Sequence, residues 1–151
     1  MGQRNPRPVE RHDRHGRVSD ERIFRIAIVD DSPIIRAVVG HLLRDQPDSE
    51  VASFETAREC LRWMADHDCN LLIADYHLAG LDGLGLTRHA LKLNPALKVL
   101  VLTIDRDPEV ESSFIEAGAS MVLHKPFDTE SLRRACRAIA NLPGGSGRTD
   151  S

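Results

Sequence analysis

The sequence predicts a doubly wound α/β domain, a parallel sheet with helices on both faces. Three observations carry this. Four short apolar runs, Ile26 to Val29, Leu71 to Ala74, Val99 to Leu102 and Met121 to Leu123, are continuous rather than alternating, as strands covered on both faces require. Between them lie segments whose apolar residues recur at the helical period. Each of those segments carries a start or a stop signal of its own. No internal repeat is present, so strand and helix alternate through one domain.

In chain order, residues 1–22 contain almost no apolar side chains and six arginines, and are expected to be disordered. The globular part is assigned to 23–142. Its first strand ends on Asp30 and Asp31, after which Ser32 can cap and Pro33 fits the first helical position. Ile34, Ile35, Val38, Val39, Leu42 and Leu43 then form one apolar stripe. The stretch EVASF at 50–54 is more polar and reads as an edge strand. Thr56 with Glu59 makes a capping box for a helix that turns Ala57, Cys60, Leu61 and Met64 one way, with Trp63 at the edge of the stripe. Gly83 opens a third helix that ends before Pro95. Pro108 starts a fourth, which Gly118 stops, and Asp128 caps a fifth that buries Leu132, Ala135, Cys136 and Ile139. Residues 143–151, rich in Gly and Ser, read as a flexible tail.

Composition narrows the function. The chain has 151 residues, 41% hydrophobic and 28% charged, with net charge -3, enough for one core and no general reason to bind nucleic acid. Beyond residue 22 there are 14 basic and 19 acidic groups, so the domain is mildly acidic. Three cysteines without a CxxC pair suit reduced thiols and a cytoplasmic location. No apolar run approaches the ~18 residues of a membrane span, so no membrane partner is expected.

The chemistry gathers at strand ends. In an open parallel sheet, active groups collect at the carboxyl ends of the strands. Those ends carry Asp30 and Asp31, then Asp75, Thr103 and Lys125. Two adjacent aspartates repel each other and are best tolerated around a cation. Three carboxylates are hard oxygen ligands suited to Mg²⁺. Asp75, on the central strand, keeps an oxygen with which to attack phosphorus. Thr103 and Lys125 can meet the charge that a transferring phosphoryl group spreads over its oxygens. Each residue alone has a simpler account: an acidic pair favours a helix N-terminus, a lysine is a solvated loop residue, a threonine ends a strand. Together in this order they do not.

These residues resemble the receiver domains of two-component response regulators over about residues 24–141. The likeness rests on VDDS with Asp30 and Asp31, DYHLAGLDG with Asp75, LT with Thr103 and HKPF with Lys125 and Pro126. The successive separations, 44 residues from Asp31 to Asp75, 28 from Asp75 to Thr103 and 22 from Thr103 to Lys125, agree with it. The resemblance implies a flavodoxin-like (βα)5 fold with strand order 2-1-3-4-5. It implies a phosphoryl group taken from a histidine kinase or phosphotransfer protein onto Asp75, and control of a downstream protein target. It also implies Mg²⁺ held by Asp31, Asp75 and the His77 backbone carbonyl, with Asp30 acting through water, and a cis Lys125-Pro126 bond. The chain would be no enzyme beyond its own phosphorylation and dephosphorylation.

Departures from the family pattern concern the switch. Ala79 stands where a proline is frequent. Ile104 follows the switch hydroxyl, where a small residue is usual. Val122 replaces an aromatic that often swings inward on activation, and His77 and Asp105 sit where the phosphoryl lifetime is modulated. One rival is literal: DYHLAG at 75–80 spells the DxHxxG of cobalamin-binding domains, but there the motif follows the first strand and is joined by later Ser and Gly signatures. A haloacid-dehalogenase phosphatase needs DxD where this chain has DD, and a flavin phosphate would be repelled by DDSPIIR. With no stretch of ~60 residues after 142 for a DNA-binding module, direct nucleic-acid binding is not expected and a stand-alone regulator is. The alternatives are the receiver part of a longer transcription regulator and a receiver that binds its partner without phosphorylation control.

Overall fold

The computed structural model describes residues 11–12, 18–19, 23–44 and 48–140. Arg11–His12 pairs antiparallel with Val18–Ser19. The rest of the two segments read as tails, 1–22 and 143–151, lies outside the described residues. Five strands, β1 (Phe24–Val29), β2 (Ser49–Phe54), β3 (Leu71–Asp75), β4 (Lys98–Thr103) and β5 (Met121–His124), form a parallel sheet in the order β2-β1-β3-β4-β5. Five helices alternate with them: α1 (Pro33–Arg44), α2 (Ala57–Met64), α3 (Gly83–Leu93), α4 (Pro108–Glu116) and α5 (Thr129–Ala140). The expected fold class and strand order are those observed. Among the described residues no helix is long and apolar enough to cross a membrane.

The continuous apolar runs divide between two cores, because successive strand side chains point to opposite faces. Ala27, Val29, Leu72, Ala74, Val99 and Val101 face α2, α3 and α4, meeting Cys60, Met64, Leu86, Ala90 and Phe114. Ile26, Ile28, Leu71, Ile73, Leu100 and Leu102 face α1 and α5, meeting Val39, Leu43, Leu132 and Ile139. β3, the central strand, is buried at all five positions. Burying a Leu, Ile or Val side chain stabilises by about 1.5–3 kcal/mol, so the sheet centre is the most strongly held part of the domain.

The punctuation works largely as read. Thr56 Oγ1 accepts from Glu59 N at 3.2 Å and donates to Glu59 Oε1 at 2.9 Å. Asp128 Oδ1 accepts from Ser131 N at 2.7 Å, opening α5. Gly118 leaves α4 at φ +108°, a conformation a side chain disfavours. α3 is capped one residue ahead of Gly83 by Asp82, whose Oδ1 accepts from Gly85 N at 2.8 Å. Trp63 is half-buried at the edge of the α2 stripe, stacked on His67. Two expectations need correction. The α1 stripe is wider than the sheet beside it: Val39 and Leu43 are buried, while Ile34 and Val38 are exposed at 71% and 48%. Cys136 is half-buried, at the margin of the α5 contact.

Gly83 marks a close approach. A Cβ there would stand 2.5 Å from the Asp75 carbonyl oxygen, and Gly83 N already donates to Tyr76 O at 2.9 Å. Gly83→Ala must push α3 off the end of β3 and is expected to cost about 1–3 kcal/mol in urea unfolding. The thiols offer a second check. Burial pushes the Cys69 thiol up to about 12 and drives Cys60 higher still, whereas Cys136 reaches about 11. Iodoacetamide at pH 8 is therefore expected to leave Cys60 and Cys69 unmodified in the native protein, and to label all three in urea.

Candidate functional site

Four strand ends meet at one edge of the sheet. Asp30 leaves β1 with its N–H on Phe54 O at 3.2 Å, prolonging the pairing with β2. Its carboxylate turns inward, and the residue is 1% exposed. There Oδ1 accepts from Ser32 N at 2.9 Å, tying the carboxylate to the start of α1, whose first turn Ser32 Oγ caps by accepting from Ile35 N. Arg36, one turn into α1, donates from its guanidinium to the Asp30 carbonyl oxygen. Asp31 points outward and is exposed.

Asp75 ends β3 and is 6% exposed. Lys125 reaches it from beyond β5, where its own N–H donates to Thr103 O at 2.8 Å and fixes the backbone beside β4. Lys125 Nζ donates to Asp75 Oδ1 and to Asp30 Oδ2, both at 3.1 Å. The Lys125-Pro126 bond is cis, as the resemblance implied, and Pro126 is exposed.

Burial and then the Asp30 charge raise the Asp75 carboxyl above its ordinary value, against the pull of Lys125. Burial alone would lower the Lys125 ammonium. The charges and hydrogen bonds of Asp30 and Asp75 outweigh it and shift that group upward, which keeps it charged.

One oxygen each of Asp30, Asp31 and Asp75 lies within 4.8 Å of the others. That span is close to what the ligands of a single octahedral cation occupy, and three hard carboxylate donors, one open to solvent, suit Mg²⁺ and its retained waters. The donor set fits the ion.

Thr103, 1% exposed, is turned to its own loop: its hydroxyl oxygen accepts from Asp105 N at 3.0 Å. Asp105 Oδ1 accepts in turn from Asp107 N at 2.9 Å, and Asp107 Oδ1 from Glu109 N at 2.9 Å in the first turn of α4. Ile104 projects from this loop, 65% exposed. Val122 is half-buried against the core under α2, α3 and α4. His77 is exposed, its ring 4.6 Å from that of Tyr76.

The structure thus brings Asp30, Asp31, Asp75 and Lys125 into one cluster and places Thr103 on the adjoining strand end, engaged elsewhere. Sequence reasoning passed over two residues. Arg36 lies on α1 six positions after the residue it holds, and a basic side chain just behind an acidic pair is the signal available. Tyr76, inside the DYH motif, meets the ring of Phe114 at 5.1 Å and 89°, a contact no local pattern shows.

Comparison with known proteins agrees with this geometry. A sequence model of the response regulator receiver domain matches residues 26–137. The cyclic di-GMP phosphodiesterase response regulator RpfG of Xanthomonas campestris is 30% identical over 122 residues, covering 79% of this chain and 32% of that protein. The transcriptional regulatory protein DegU of Brevibacillus brevis is 28% identical over 122 residues, covering 80% of this chain and 52% of that protein. The chain therefore spans about half or less of the length of these relatives. The chemotaxis protein CheY4 of Vibrio cholerae superposes with a TM-score of 0.72 at 26% identity, covering 78% of this chain and 98% of that one. Matched by family over most of its length and by fold over 78% of it, the chain belongs to the response regulator receiver domain family.

Proposed function

We propose that this receiver takes a phosphoryl group from a histidine kinase or a phosphotransfer protein onto Asp75 and thereby controls its binding to a protein target in the cytoplasm. The observation that carries the reading is Lys125 Nζ at 3.1 Å from both Asp30 and Asp75, with the Asp31 carboxylate open beside them. Lys125 occupies one oxygen of Asp75, which leaves the other to act. That oxygen attacks phosphorus, the new O–P bond forms as the donor's N–P bond breaks, and the departing imidazole nitrogen takes a proton from solvent. Lys125 is positioned to move from Asp75 toward a phosphoryl oxygen. Thr103 can offer its hydroxyl to another once it gives up the Asp105 amide. Water attack on the same phosphorus returns Asp75, so the chain catalyses only its own loading and unloading. Asp31, Asp75 and the His77 carbonyl would hold Mg²⁺, with Asp30 acting through water, and the ion would supply charge compensation.

Ile104 and Asp105, on the loop after Thr103, and the exposed His77 are the residues we assign to tuning access and lifetime. Pro126 fixes the approach of Lys125. Val122 cannot make the ring movement of an aromatic, so the response is centred on residues 103–117. The second reading, a receiver within a longer regulator, is favoured by the greater length of the curated relatives.

Two measurements bear on this. Incubation with Mg²⁺ and acetyl phosphate is expected to add one phosphoryl group by intact mass, and Asp75→Asn to abolish the gain; labelling that persists in the variant would move the site elsewhere. Removal of Mg²⁺ with EDTA is expected to slow labelling by ~100-fold or more, since a bound metal contributes several kcal/mol of charge stabilisation. An unchanged rate would remove the metal from the reading.

A further inference from the structure

α4 is the most lightly seated helix of the domain. Phe114 is its one buried residue, whereas α1, α2, α3 and α5 each bury three or more. Val110 is half-buried and Ile115 is 49% exposed. Beside the packing of Val110 and the Glu111–His124 pair at 3.9 Å, α4 has two attachments that run to the phosphoacceptor edge. At its N-terminus, the relay from Thr103 Oγ1 through Asp105 and Asp107 to Glu109 N ties the helix to the switch hydroxyl. At its middle, Phe114 stands edge-on to Tyr76, the residue after Asp75.

Tyr76 itself is pinned. Its N–H donates to Leu102 O at 3.0 Å and its carbonyl accepts from Gly83 N at 2.9 Å, so β4 and α3 hold the backbone that carries the ring. Val122 lies on the same face of the sheet without a ring of its own.

We propose that Tyr76 is a positioning residue that passes the state of Asp75 to α4 through the edge contact of its ring with Phe114. The inference rests on Asp75 being the phosphoacceptor. When Thr103 leaves the Asp105 amide, the N-terminal tie of α4 loosens while Phe114 stays on a fixed ring, and the helix turns about that point. Without the ring, α4 loses this reference and its response to the site is reduced, although the site itself is intact.

The test is amide exchange over residues 108–117 with and without Mg²⁺ and beryllofluoride, in the full chain and in Tyr76→Phe, Tyr76→Leu and Phe114→Leu. Loading of Asp75 by acetyl phosphate is followed in parallel by intact mass. Tyr76→Phe is expected to keep the change in protection. Tyr76→Leu is expected to reduce it by about threefold or more, in keeping with the strength of an edge-to-face pair, while loading stays within about twofold. Phe114→Leu is expected to match Tyr76→Leu; if it does not fold, the two Tyr76 variants decide. A full α4 response in Tyr76→Leu with normal loading overturns the proposal. So does loss of loading in that variant, which would make Tyr76 part of the site. Absence of any mass gain in the unsubstituted chain overturns the phosphoacceptor reading first, and this inference with it.

Discussion

Two carboxylates almost out of reach of water share one ammonium group, and the architecture of the active edge follows from that arrangement. Asp30 and Asp75 end adjacent parallel strands, so their charges would stand unscreened in a poorly solvated place if Lys125 did not lie between them at 3.1 Å from each. Removing one partner of such a buried set leaves uncompensated charge and costs about 3–5 kcal/mol, a large part of a domain's stability. The surroundings are consistent with that constraint. Ser32 N and the Arg36 guanidinium fasten Asp30 from α1, the absent side chain of Gly83 lets α3 close over the end of β3, and the Thr103 carbonyl fixes the backbone of Lys125.

The same edge is where rigidity gives way to mobility. The central strand and the α1 and α5 face are held by many buried aliphatic contacts, which resist displacement. α4 has one buried ring, the half-buried Val110, a Glu111–His124 pair at 3.9 Å and a short chain of aspartate turns. Elements with few buried contacts are the ones that open and move at low cost. A change at Asp75 thus has one easy direction in which to be felt, toward the loop at 103–107 and the helix that follows it.

How much of this was legible in the sequence differs by element. The four continuous runs gave the sheet because burial on both faces leaves no polar alternation, and the helix-start signals at Thr56, Pro108 and Asp128 are local chemistry. The cluster was legible because a parallel sheet brings strand ends together whatever lies between them. Which of the two adjacent aspartates turns inward was not, since Asp30 and Asp31 are chemically alike and only the fold, through Ser32 and Lys125, separates them. The α1 stripe misled because periodicity reports apolar residues and not the width of the surface available to cover them, so Ile34 and Val38 stay exposed. Tyr76 on Phe114 is a contact across the whole of α3 and β4, beyond the reach of any pattern read along the chain.

Charge accounts for why Thr103 would leave a satisfied hydrogen bond. Three carboxylates against one ammonium leave two negative charges at the edge, the amount a divalent cation cancels. In the proposed transfer, a phosphoryl group on Asp75 would replace its single charge by about two, so roughly one negative charge would be left over. Lys125 cannot cancel it, being already divided between Asp30 and the new group. Thr103 on the adjoining strand end has a hydroxyl donor to offer, and a hydrogen bond donated to an ionised oxygen is about twice as strong as a neutral one such as Thr103 accepts from the Asp105 amide. The exchange is favourable only while the extra charge is present. On the proposed reading the loop would return when phosphate is lost, and such a switch would need no strain stored in the fold.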